Sequence, residues 1–322
     1  MRPLLRIAIL ALCVFVGSSA LGDASARTSG MTVHGPSKPV YIGQTMQLRV
    51  ILHGQSVHCV ATVGYTGGKV QKLGDRATSS SGATWSFRVP AVKPGTARAV
   101  INCGEAGKGS IPFQVRAALQ APKIVTERTG FSQRLNRDGS TNVCFGLELR
   151  NDRTRVDATH VAVLVNLVDA DNRVIGTDHL TLIRIPAGAT VYIGDQLSRL
   201  VNIPIARVEV VAVTATSTPI APATPPLISD ILIAPDRDRF VATVYAQLLN
   251  QSGLQLQGGE MGTVLVDAEG NIIGGGRGNV QGPVSLGARE LSKTFTQMTA
   301  VPYDKAAQAL ISVVPRYPRQ PS

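Results

Sequence analysis

The chain reads as an all-β protein: three consecutive β-sandwich domains behind an export signal. Three observations predict this. Apolar residues recur with a period of two rather than 3.6 through most of the 322 residues. Gly (32) and Pro (19) punctuate the chain throughout, whereas aromatics make up only 4%, a composition that suits short strands and many turns. Finally, one phrase recurs. "VDADNRVIGT" begins at Val168 and "VDAEGNIIGG" at Val266, and a repeated phrase at long range is the mark of a duplicated unit.

The N-terminus carries Arg2 and Arg6, then an apolar run from Ile7 to Val16, then small residues closing on Ala24-Ser25-Ala26. That order is an export signal with an A-x-A cleavage pattern, assigned to residues 1–26. Ser18-Ser19-Ala20 offers a second cut. The apolar run falls short of the roughly 20 residues a membrane span needs; an uncleaved anchor is the alternative. The expected location is extracytoplasmic, in the cell envelope or outside the cell.

The first domain is placed at residues 27–118. Val57, Cys59, Ala61, Val63 and Tyr65 alternate in one strand, and Ala97, Ala99, Ile101 and Cys103 alternate in another. Both cysteines then point inward from half-buried strands. In an oxidising compartment they should bond, closing a loop of 44 residues. Trp85 falls between them, in phase with Phe87 and Val89. A Cys…Trp…Cys order inside a sandwich is an immunoglobulin-like signature. The stretches "HCVATVGYTGGKVQKLG", "SSSGATWSFRVP", "KPGTARAVINCG" and "IPFQV" resemble a small Ig-like domain common in secreted actinobacterial proteins. The resemblance spans about residues 36–117 and implies a fold and a compartment, with no catalytic residues.

The remainder is a duplication. With Asn151 set on Asn250, Val143, Phe145, Leu147 and Leu149 fall on Ala242, Val244, Ala246 and Leu248; Val163, Val165 and Leu167 fall on Met261, Thr263 and Leu265. The copies are assigned to 119–214 and 227–316, with a Pro/Thr-rich linker at 215–226 and a tail at 317–322. A strand ending in Asn, a strand ending in D-x-x-G, an apolar pair and a Pro-Gly or Leu-Gly turn are similar to the FxLYD or LEA14-like sandwich domains of bacterial surface proteins. The resemblance implies interaction modules or scaffolds. The expected plan is therefore three Ig-like or fibronectin-like sandwiches in a row.

Candidate sites are weighed against that plan. Asp169, Asp171 and Asn172, and likewise Asp267, Glu269 and Asn271, look like calcium ligands. A calcium loop needs a distal bidentate carboxylate, which neither copy has, whereas a hairpin turn needs these very residue types between alternating strands. The hairpin is the expected structure. "IIGGGRGNVQG" from Ile272 lacks the lysine of a phosphate loop and reads as a glycine-driven bulge or wide turn. His34, His53, His58, His160 and His179 show no ligand spacing, so neither metal nor small-molecule cofactor is expected. Cys144 sits among apolar strand residues and reads as a buried thiol or an intermolecular partner. The sequon at Asn250 is expected to stay unused.

Charge supplies the remaining lead. From Arg27 to Gln120 there are 11 Lys or Arg against two acids, Asp75 and Glu105; from Ala121 onward 19 basic residues face 18 acidic. Nearly all the excess of +11 that outlasts the signal thus belongs to the first domain, which suggests an anionic partner; a merely solvated basic face is the alternative. The candidate contact residues are Lys69, Lys72, Arg76, Arg88, Lys93, Arg98 and Lys108. Wall polymers, anionic lipid and extracellular DNA fit. Base-specific recognition does not, because no stacking aromatics accompany the charge. The expected function is a non-catalytic binding or scaffold protein. Assembly with another envelope protein is the second reading, and a secreted hydrolase the third, disfavoured because no paired carboxylates fall at strand ends.

Overall fold

The computed structural model describes residues 25–28, 30–52, 57–78, 82–200, 203–221, 224–279 and 291–316. The export signal lies outside them except for Ser25 and Ala26, as do the 317–322 tail and the Leu286-Gly287 turn. The chain is all-β and divides into two compact units, residues 1–118 and 119–320.

In the first unit the strands are β1 Ser25–Thr28, β2 Met31–His34, β3 Val40–Tyr41, β4 Thr45–Leu52, β5 His58–Gly64, β6 Val70–Ala77, β7 Ala83–Arg88, β8 Gly95–Asn102 and β9 Lys108–Arg116. They form two sheets, β1-β2-β4-β7 and β3-β9-β8-β5-β6. The period-two pattern decides the faces. Met46, Leu48 and Val50 from one sheet meet Cys59, Ala61, Val63, Ala99 and Ile101 from the other in one buried core. Trp85, fully buried, donates its indole N–H to the Gly74 carbonyl at 3.2 Å, which satisfies the one polar atom its burial would strand. Cys59 and Cys103 are bonded, with an S–S distance of 2.11 Å.

The second unit holds both repeats. The first has β10 Ile124–Leu135, β11 Thr141–Asn151, β12 Asp157–Val168, β13 Val174–Ile185, β14 Thr190–Leu200 and β15 Arg207–Thr218. The second has β16 Leu227–Pro235, β17 Val241–Leu249, β18 Gly259–Val266, β19 Ile272–Asn279, β20 Leu291–Thr299 and β21 Gln308–Pro315. Each repeat is a sandwich of two three-stranded sheets with the same connectivity: β10-β11-β14 on β13-β12-β15, and β16-β17-β20 on β19-β18-β21. The expected linker begins later than the composition suggests. Thr214 to Thr218 continue β15, paired with β12, because β-branched threonines suit a strand.

The repeats do not hang as separate beads. The face of β10-β11-β14 that points away from its own core lies on the outer face of β19-β18-β21, and Val264, Val266 and Ile272 pack there with Tyr192 and Leu310. The unit is thus a stack of four three-stranded layers. Glycine makes the middle junction close. Gly130, Gly146 and Gly194 stand in one row across β10, β11 and β14. A Cβ on Gly130 would collide with the Ile272 carbonyl, one on Gly194 with Gly275, and one on Gly262 with the Tyr192 carbonyl. The glycine run from Ile272, expected as a bulge or wide turn, is the strand β19 as far as Asn279, with a register shift at Ile273 between Ile272 and Gly274; residues 280–282 lie outside the described residues. Its glycines let backbone meet backbone.

Candidate binding surface

The candidate basic residues divide between the two faces and one end of the first unit. On β8 and β9, Arg98 and Lys108 alternate with buried Ala97, Ala99, Gly109 and Ile111, so both project from the outer face of the five-stranded sheet. Lys72 pairs with Thr62 and joins them there, beside exposed Arg116 on β9. Arg98 donates to Ser110 Oγ at 3.1 Å. The acid among the strand residues of this face is Asp75, on the edge strand β6, held by His58 Nδ1 at 3.0 Å. Among the described residues, no salt bridge engages Lys72, Arg98, Lys108 or Arg116.

The other four lie elsewhere. Arg76 pairs with Cys59 across a bulge, which turns it to the opposite side of the edge strand from Lys72. Arg88 projects from the outer face of the other sheet, where its Nε donates to the Gly43 carbonyl at 2.7 Å. Lys69 and Lys93 sit in loops at one end, and Lys69 Nζ donates to the Ala91 carbonyl at 3.2 Å. The structure thus brings together Lys72, Arg98 and Lys108, and adds Arg116, which the sequence reading did not single out. Its signal was legible: Arg116 continues the alternation of Lys108, Ser110, Pro112 and Gln114.

The two repeated acidic phrases are hairpin turns with matching bonds. Asp169 N–H donates to the Arg173 carbonyl and Asn172 N–H to the Asp169 carbonyl; Asp267 with Asn271 and Gly270 repeats both. Asp169 Oδ1 accepts the Asp171 and Arg173 amides, and Asp267 Oδ1 accepts that of Asn271 at 2.7 Å. Asn172 and Gly270 share the left-handed conformation, at φ 64° and 84°, so asparagine serves the first copy where glycine serves the second. Asn151 and Asn250, both buried, cap equivalent corners: each Oδ1 accepts the amide two residues on.

Cys144 is buried in the junction between repeats, its thiol donating to the Gly275 carbonyl at 3.1 Å. Burial pushes its pKa up to about 12, the reverse of what a nucleophilic thiol needs. An open groove of about 490 Å³ runs past Pro186, Val191, Pro226, Leu227, Val313 and Pro315. A smaller cavity at the seam is lined by Tyr192, Glu260, Arg277 and Ser312 among others.

No family model matches the chain, and no curated protein matches it. Solved structures that it is similar to include squid arrestin, at 6% identity and a TM-score of 0.21, covering 55% of this chain and 80% of that one. A tetra-tandem repeat from the extending region of a large adhesion protein aligns at 10% identity and a TM-score of 0.18, over 87% of this chain and 73% of the other. Dimeric latent PorU from Porphyromonas gingivalis aligns at 13% and 0.19 over 89% of this chain, which spans 31% of that protein.

Proposed function

We propose that the chain is an exported, non-catalytic binding or scaffold protein whose basic first unit, an Ig-like domain of the secreted actinobacterial kind, contacts an anionic polymer or surface. The two repeats, read as FxLYD or LEA14-like sandwiches, carry it. The observation behind this reading is the outer face of the five-stranded sheet: Lys72, Arg98, Lys108 and Arg116 share it, and its acid, Asp75 on the edge strand, is engaged by His58. On this flat face Arg98 stands one strand from Lys108 and Arg116 and two strands from Lys72, about 5 and 10 Å across the sheet, a spread that matches an extended anion rather than a single small molecule. The disulfide is compatible with an oxidising compartment. A cut after Ala20 leaves β1 whole, whereas a cut after Ala26 removes half of it.

The test is retention of the purified chain on an anionic polymer column. Neutralising four charges releases counterions, so affinity should fall about 100-fold between roughly 50 and 200 mM salt. Reversing Arg98 and Lys108 to Glu should abolish most retention, while reversing Arg88, on the other sheet, should change it little. Equal losses from both would mean that net charge alone acts, and no retention at low salt would end the reading. A second reading, an assembly subunit of the envelope, is favoured by the exposed apolar row of Leu232, Tyr245 and Phe295.

A further inference from the structure

In the first repeat, the row across β10, β11 and β14 is Gly130, Gly146 and Gly194, and β19 covers it. The register of the second repeat puts Leu232, Tyr245 and Phe295 in the equivalent row across β16, β17 and β20. These three are 59%, 46% and 57% exposed, although the rings of Tyr245 and Phe295 lie together with centroids 6.1 Å apart. A second row on the same face runs Leu227, Leu249, Leu291, with Leu227 and Leu291 exposed. In a chain with 7 Phe, 6 Tyr and one Trp, an exposed aromatic pair inside an apolar band marks an interaction face.

We propose that this face docks on the same face of a second copy, forming a two-fold dimer. The proposal develops the assembly reading and is independent of the basic face. Two observations select this occupant. The equivalent face of the first repeat already takes a stacked sheet, so the fold buries itself this way within one molecule. Here bulky side chains exclude a glycine strand, so the mate must interdigitate side chains.

Symmetry then matches the rows. A two-fold axis lying along β17 sets each row against itself: Leu232 meets the partner's Phe295, Tyr245 meets the partner's Tyr245, and Leu227 meets the partner's Leu291. The polar row between them is Ser229, Gln247 and Lys293. The same axis brings Lys293 to the partner's Ser229, at the edge where the bulge residue Asp230 is exposed.

Area sets the strength. Three strands about 4.8 Å apart and nine residues long give a face of about 14 by 30 Å, which with side-chain relief totals on the order of 1,000 Å² for both copies. That is the lower end for a specific interface and fits association at micromolar concentrations. An anionic lipid surface is less suited, since the face carries one cation, Lys293.

The experiment is sedimentation equilibrium of the purified chain across micromolar concentrations, at salt high enough to remove polyanion binding. A reversible dimer is expected. Phe295→Glu enters each dimer twice and should weaken it at least about 100-fold while the cooperative melt is retained. Tyr245→Cys, on the axis, should form an intermolecular disulfide under mild oxidation; Ala162→Cys, exposed on β12, should not. The proposal is overturned by a chain monomeric at every concentration, by a dimer indifferent to Phe295→Glu, by equal cross-linking of the two cysteine variants, or by co-sedimentation with neutral lipid vesicles in place of dimerisation.

Discussion

Gly146 of the first repeat lies directly against Gly274 of the second: a Cβ on Gly146 would stand 2.7 Å from the Gly274 carbonyl oxygen. At that point backbone meets backbone, with the side chains of Val264 and Ile272 closing in beside it. Stability of the second unit should therefore hinge on residues that have nothing to bury.

Gly130→Ala and Gly146→Ala should each destabilise the second unit by about 1–3 kcal/mol or more, because an added methyl must push backbone apart. Tyr245→Ala, at the position equivalent to Gly146, should cost the monomer under about 1 kcal/mol when measured below the dimerisation range, as expected of an exposed site. Urea unfolding of the three variants decides it. Glycine variants as stable as the parent would mean that the repeats do not pack this way.

Limited proteolysis should release the first unit by cutting near residues 117–123. It should not separate the repeats, even after a nick between Ala221 and Pro226. The start of that connection is tied down, since the Ala221 amide donates to buried Asp157 at 3.0 Å. The nicked halves should co-elute on gel filtration until denatured. Separation under native conditions would restore the plan of independent domains.

The Cys144 thiol should resist alkylation in the folded chain and react only on unfolding, because it is fully buried and its pKa is pushed to about 12. Mass spectrometry after native and denaturing alkylation reads this directly. The same digest, run without reductant, should show Cys59 linked to Cys103. Replacing both with Ser should cost about 4 kcal/mol in the loop-entropy model, seen as a lower melting point of the first unit.

Glu260 should make the second unit pH-sensitive. Burial raises its pKa, while the Ile183 amide at 2.7 Å and then Arg316 and Arg277 pull it partly back. The folded chain then holds this proton more tightly than the unfolded chain. Its contribution is fully present below the unfolded value of about 4.3 and is lost as pH rises through the raised one. Glu260→Gln removes the loss, so its stability relative to the parent should improve as pH rises from below about 4 through the raised pKa. A difference flat across that range would show that the carboxyl is solvated like any other.

Much of the protein was legible in the chain itself. Alternation of Cys59, Ala61 and Val63 against Ala99, Ile101 and Cys103 determined which faces are buried, and with them the disulfide, because strand geometry leaves no other choice of side. The hairpins at Asp169 and Asp267 were determined by local chemistry: an acid to accept amides and an Asn or Gly to turn left-handed. What the tertiary structure alone decided was everything that depends on which outer face meets which. Gly130, Gly146 and Gly194 lie apart in sequence and acquire meaning only when register sets them in one row. Lys72 and Arg76 look alike in sequence, yet one bulge in β6 sends them to opposite sides. Alternation along a strand is a local property set by the backbone; adjacency across strands and between sheets is not, and both the buried junction and the exposed apolar row come from it.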